Sequence, residues 1–160
     1  MKNIQRAVIL HDIRSVHNVG SIFRTADAAG FEKIYLCGIT PTPLDRFKNI
    51  RADFAKVSLG AEKSVAWEYE STTGVAIKKL KEDGWTVVAV EQSPRSIPYY
   101  EFKIARNKKI ALVMGNEVKG LSPSILKLID AVVEIPMSGK KESLNVGVAF
   151  GIVAFGVRYG

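Results

Sequence analysis

The sequence has one cysteine, Cys37, and two histidines, His11 and His17, in 160 residues. A lone thiol excludes an internal disulfide and any metal centre built from several cysteines. Two histidines with no ligand cluster around them leave no metal set and no Ser–His–Asp order. Cys37 sits in the apolar run KIYLCG with no base to activate it, and reads as a small buried hydrophobe. No run approaches the ~18 apolar residues of a membrane span. The apolar part of the opening MKNIQRAVILHD is too short for a signal peptide, so the expected location is the cytoplasm. Two phosphate-binding signatures are also absent: no G-x-G-x-x-G follows the first apolar run, and no G-x-x-x-x-G-K-[ST] occurs.

The hydrophobic share is 47%, enough in a chain of this length for one core, and a single domain over 1–160 is expected. Twenty-three Lys and Arg against 16 Asp and Glu give a formal charge of +7. That excess favours polyanionic partners without identifying them, and solubility is the plainer reading beside it. Short β-branched runs (AVIL, KIYLCG, WTVVAV, KIALVMG and AVVEIP) read as buried parallel strands. Between them lie helical patterns: SIFRTADAAG, then STTGVAIKKLKEDG with Ser71 as cap and Gly84 as stop, then LSPSILKLID with Ser122 before Pro123. This alternation predicts an α/β fold, a mostly parallel sheet flanked by helices.

One stretch, Gly38 to Lys63, is irregular. It opens with alternating Thr and Pro and then carries Arg46, Lys48, Arg51, Lys56 and Lys63. Phe47 and Phe54 among these cations provide the charge and stacking surface that single-stranded nucleic acid binders use. The same two residues are also spaced as buried residues of a helix would be.

Three segments place glycine and polar residues beside strand ends, where open α/β sheets bind ligands. HNVGSIFRTADAAGF offers Asn18 as a helix cap, Gly20 for close approach, and Arg24 on the helix, either functional or an ordinary ion pair with Asp27. LVMGNEVKGLSPSIL ends a strand in Gly115, Asn116 and Glu117. Glu117 is either a helix-terminus partner or a ligand contact. IPMSGKKESLNVGVAF joins a strand end to an elbow, where Met137, Ser143, Leu144 and Asn145 set an apolar wall beside hydrogen-bonding groups. Ser143 and Asn145 either cap the helix that follows or face a ligand. That helix is apolar all round, with Gly147 and Gly151 in it, and so belongs inside the protein or against a partner.

Together NVGSIFRTADAAG, KVSLGAEK, LVMGNEVKGLS and IPMSGKKESLNVGVAF resemble, in order and spacing, the signature segments of the SpoU/TrmH family of RNA ribose 2′-O-methyltransferases, in the SPOUT class. The resemblance spans almost the whole chain. It implies a C-terminal deep trefoil knot, a homodimer, no metal, and S-adenosylmethionine as methyl donor to tRNA or rRNA. By matching positions it implies Arg24, Glu117, Ser143 and Asn145 as catalytic residues, with Asn18 in the first motif beside them. It implies a cofactor pocket of Val90, Gly115, Ile135, Met137, Ser143 and Leu144. Arg46, Lys48, Arg51 and Lys56 are then the expected RNA contacts. Val118 departs from the glycine often found after the glutamate, and no separate RNA-binding domain accompanies the motifs. The alternative function is a catalytically silent RNA-binding protein of the same fold.

Overall fold

The computed structural model describes residues 4–105 and 108–159. Its strands β1 (Gln5–His11), β2 (Lys33–Cys37), β3 (Ala66–Glu70), β4 (Trp85–Val90), β5 (Ile97–Pro98), β6 (Lys109–Met114) and β7 (Ala131–Glu134) form one sheet. The order is β3-β2-β1-β6-β4-β7-β5, and every pairing is parallel. The helices are α1 (Val16–Ala29), α2 (Ala52–Ser58), α3 (Ala61–Ser64), α4 (Thr73–Glu82), α5 (Pro123–Leu126) and α6 (Val146–Tyr159). The expected α/β architecture is therefore the observed one.

The strands read as unbroken apolar runs because both faces of the sheet are covered. Along β1, Val8 and Leu10 join a core with Phe23 of α1, Phe54 of α2 and Phe150 of α6. Ala7 and Ile9 point the other way, toward Ile77 and Leu80 of α4 and Ile125 of α5. Cys37 lies in this second core, fully buried. Burial pushes its thiol up to about 12 against a hydrogen bond from Thr73, in keeping with an inert hydrophobe.

Two strands escaped the sequence reading, and both are edges. β3 (AWEYE) carries Glu68 and Glu70, which pair with Lys33 (2.9 Å) and Lys79 (2.6 Å), so it shows no apolar run. β5 is two residues long. Short or charged edges resist pairing with other chains. The caps also shift. Ser15, not Asn18, caps α1 by accepting from the Asn18 N–H, and Thr72, not Ser71, caps α4. Ser122 caps α5 ahead of Pro123 as expected.

The irregular stretch contains α2 and α3, and it separates the two phenylalanines. Phe54 is fully buried, edge-to-face on Phe23 with centroids 5.1 Å apart. Phe47 is 69% exposed, with the Arg46 guanidinium 4.8 Å from its ring centroid. Gly20 serves this packing: a Cβ there would lie 3.1 Å from Val57 Cβ and 3.3 Å from the Phe54 carbonyl oxygen, so its close approach is to α2.

The chain lays β2 and β3 to one side of β1, then places β6, β4, β7 and β5 on the other. The strand order thus reverses between β1 and β6, and open sheets open their crevices at such a switch point.

Candidate active site

At the carboxyl ends of β4, β6 and β7, two adjoining clefts share Val90, Glu91, Ser143, Leu144 and Ala149 as walls. The larger, about 500 Å³, is also lined by Asn18, Gly115, Glu117 and Asn145. The smaller, about 150 Å³, adds Gln92, Ile135 and Met137. All the residues expected at the cofactor pocket line one or both. Of the expected catalytic set, Asn18, Glu117, Ser143 and Asn145 converge on the larger.

Each polar group there has a definite job. Glu117, just past β6, accepts from the backbone N–H of Arg14 (3.1 Å) and Ser15 (3.2 Å) and from the Asn18 amide (3.3 Å). It is therefore a partner of the α1 N-terminus, where backbone N–H groups lack intrahelical acceptors and favour a negative charge. Partial burial opposes its ionisation, but these donors outweigh it and hold the carboxyl below the usual glutamate range. Asn18 extends the chain of contacts by accepting from the Asn145 amide at 3.1 Å. Asn145 Oδ1 in turn accepts from the N–H of Gly147 (2.8 Å) and Val148 (3.3 Å) at the start of α6. One network thus ties the starts of two helices to the turn after β6. Asn145 is both a cap and a cleft residue, whereas Ser143 is an exposed residue at the cleft wall.

Gly115 also shapes the turn behind the cleft. A Cβ there would come within 2.8 Å of the Gly120 backbone, so its bareness closes the turn that carries Glu117. Gly120, at φ 63°, occupies the left-handed region in which glycine alone is unstrained.

Arg24 stands apart. It lies on α1 six residues beyond Asn18, exposed, lining neither cleft and making no hydrogen bond or ion pair with a described residue. The alternative ion pair with Asp27 is not formed. Gly147 and Gly151 face α1, with a Cβ at each lying 3.5 Å from Ser21 Oγ and 3.7 Å from Thr25 Cγ2 respectively. They let two helices of one chain close up. The exposed apolar side of α6 is instead Val148 (52% exposed) and Phe155, continuing from Leu144.

Among the lining residues given no site role from sequence are Glu91 and Asn116. Glu91 follows β4 as Glu117 follows β6, and its carboxylate accepts from the Leu121 N–H at 3.0 Å. A carboxylate just past a strand end was the signal used for Glu117, and it would have found Glu91. Asn116 donates to the Asp12 carbonyl (2.6 Å) and accepts from the N–H groups of Val118 and Lys119 (both 2.9 Å), a turn function typical of asparagine.

Residues 5–155 match the model of the SpoU rRNA methylase family. The chain belongs to this family. It is 32% identical over 149 residues to the 23S rRNA (guanosine-2′-O-)-methyltransferase RlmB of Ralstonia nicotianae, covering 92% of this chain and 56% of that protein. It is 31% identical to a tRNA (guanosine(18)-2′-O)-methyltransferase of Aquifex aeolicus, covering 92% of this chain and 66% of that protein. Among solved structures, the AdoMet-bound rRNA methyltransferase of Sinorhizobium meliloti superposes with a TM-score of 0.87 at 30% identity, over 99% of this chain and 57% of that one. The chain thus spans about half to two thirds of these relatives' length. The family match runs through β1 to α6 and so takes in both clefts and the network between them.

Proposed function

We propose that this chain transfers a methyl group from S-adenosylmethionine to a ribose 2′-hydroxyl of tRNA or rRNA. The observation that carries this reading is the larger cleft, which unites Asn18, Glu117, Ser143 and Asn145 with Val90, Gly115 and Leu144. The donor set fits the cofactor's chemistry: apolar walls from Val90, Ile135, Met137 and Leu144 for flat and aliphatic parts, and backbone and hydroxyl groups at Gly115 and Ser143 for polar edges. When bound, S-adenosylmethionine supplies an electrophilic methyl group. Asn145, held by Asn18 and by the α6 N-terminus, positions the elbow beside the ribose, and Ser143 offers a hydroxyl to ligand or ribose. Glu117 is a positioning residue acting through the start of α1. The guanidinium of Arg24 presents a fixed fork of N–H donors and no acceptor, which suits it to bind phosphate and stabilise the developing alkoxide.

Arg24 reaches a cleft in this reading through a homodimer. Val148 and Phe155 form an apolar face on α6, which packs on the helix bearing Arg24, and a second copy is the occupant that would cover it. Arg24 of one protomer then serves the partner's cleft. Arg46, its guanidinium over the exposed Phe47 ring, contributes RNA affinity together with Lys48, Arg51 and Lys56, although Arg51 is already held by Asp53 at 3.1 Å. A single domain, a knotted C-terminal segment and a cytoplasmic location complete the reading. Among the described residues no helix is long and apolar enough to cross a membrane.

Titration calorimetry tests it. The chain should bind S-adenosylmethionine and its demethylated product in preference to NAD or ATP. Tight NAD binding with no binding of the methionine-derived ligands would overturn the proposal.

A further inference from the structure

A second hollow, about 600 Å³, opens on the other side of the turn that carries Glu117, and shares Asn116, Val118 and Gly120 with the larger cleft. It lies at the carboxyl end of β1, at the reversal of strand order, where crevices of open sheets form. Its volume suits a nucleotide-sized ligand.

Its lining has a definite chemistry. Arg14 and Lys119 both border it, and neither side chain makes a hydrogen bond or ion pair with a described residue. Asp12 is the acidic residue in its wall, and one oxygen is committed to the Ile39 N–H at 3.0 Å. His11, also in the wall, is fixed through Nδ1 to Thr73 Oγ1 at 2.6 Å, and burial lowers its pKa against the pull of Asp12, leaving the ring neutral near pH 7. The apolar part of the wall comes from Ile39, 63% exposed, and Val118, 84% exposed, on two different loops. Paired cations beside exposed apolar surface match a phosphate joined to a base.

We infer that this hollow takes the nucleotide adjacent to the one methylated, with its phosphate on Arg14 and Lys119 and its base against Ile39 and Val118. The inference rests on the RNA reading above. The two sites share one wall, so a strand whose reacting ribose enters the larger cleft crosses the Val118 turn into the hollow. Val118, where the family often has glycine, then acts as the apolar ridge between two nucleotides.

The test measures binding of a fluorescein-labelled, mixed-sequence single-stranded oligoribonucleotide by anisotropy, with cofactor affinity measured alongside. Arg14→Glu with Lys119→Glu should weaken RNA binding about tenfold or more and leave cofactor affinity unchanged. The control pair Lys78→Glu with Lys108→Glu makes the same change in net charge away from the hollow and should have a far smaller effect. Equal losses for the two pairs would overturn the inference, reducing it to general charge. A wild-type chain that binds cofactor but no RNA would overturn the RNA reading itself, and the hollow's role with it. If the reversal variant loses cofactor binding through misfolding, 4-thiouridine cross-linking of the unaltered chain decides: cross-links in the peptides carrying Ile39 or Val118 support the inference, and cross-links confined elsewhere refute it.

Discussion

Replacing Glu117 by glutamine removes one charge while keeping one acceptor oxygen, and so isolates what the carboxylate does at the head of α1. Its contacts with Arg14, Ser15 and Asn18 span 3.1–3.3 Å, long for charge-assisted bonds, which prefer about 2.7–2.9 Å. Hydrogen bonds to a charged group are worth roughly 1.5–3 kcal/mol when well buried. Glu117 is exposed, and solvent screening reduces the whole set to about 1 kcal/mol. That is a fall in Tm of about 2–4 °C for a domain of this size. The pH dependence has a definite sign. The folded pKa is held below the ordinary 4.5, so the contribution is fully present above that value and is lost as the pH falls through the folded pKa. Urea denaturation of the wild type and of Glu117→Gln should therefore differ by about 1 kcal/mol at pH 7, with the gap closing below about pH 4. Methyl transfer should fall more than cofactor affinity, because the substitution loosens Asn18 and, through it, Asn145. Equal stability at pH 7, or a gap that widens on acidification, would refute this role.

Other expectations follow from the same geometry. If Arg24 serves the partner's cleft, Arg24→Ala and Asn145→Ala should each be inactive, while a reassociated mixture regains about a quarter of wild-type turnover; half the dimers are mixed and each has one intact site. No recovery in mixtures shown to exchange subunits would place Arg24 in its own chain's cleft. Phe54→Ala should destabilise the fold by about 3–5 kcal/mol, whereas Phe47→Ala should leave denaturation within about 0.5 kcal/mol of wild type and weaken RNA binding. Lys48→Glu should reduce RNA affinity more than Arg51→Glu, because Asp53 already offsets the Arg51 charge; the reverse order would remove the loop from the RNA path.

Much of this was legible in the sequence. The five central strands announced themselves because burial on both faces leaves only apolar residues in them, and the edges β3 and β5 were silent because their stability comes from pairing and ion pairs. The cleft was legible as three glycine-bearing polar segments beside strand ends, although residue type alone did not tell capping from ligand contact. Asn145 caps α6 and also lines the cleft, and Glu117 holds a helix start across a sequence separation of 103 residues. The apolar helix with Gly147 and Gly151 reads as belonging inside the protein or against a partner, and these two glycines face α1, since sequence shows that a helix side is narrow but not which neighbour fills it. Arg24 was readable in part: Val19, Ile22, Phe23 and Ala26 mark the buried side of α1, and helical periodicity puts Arg24 opposite them, in solvent.

The most direct measurement is nucleoside mass spectrometry of bulk RNA after incubation with the wild-type chain and methyl-labelled S-adenosylmethionine, with Asn145→Ala run in parallel. A cleft that works as proposed yields label in a 2′-O-methylated nucleoside, resistant to loss when the base is cleaved from the sugar, and little or none with the variant. Label residing on a base, or no label from a wild-type chain shown to bind both cofactor and RNA, would contradict ribose methylation at this site.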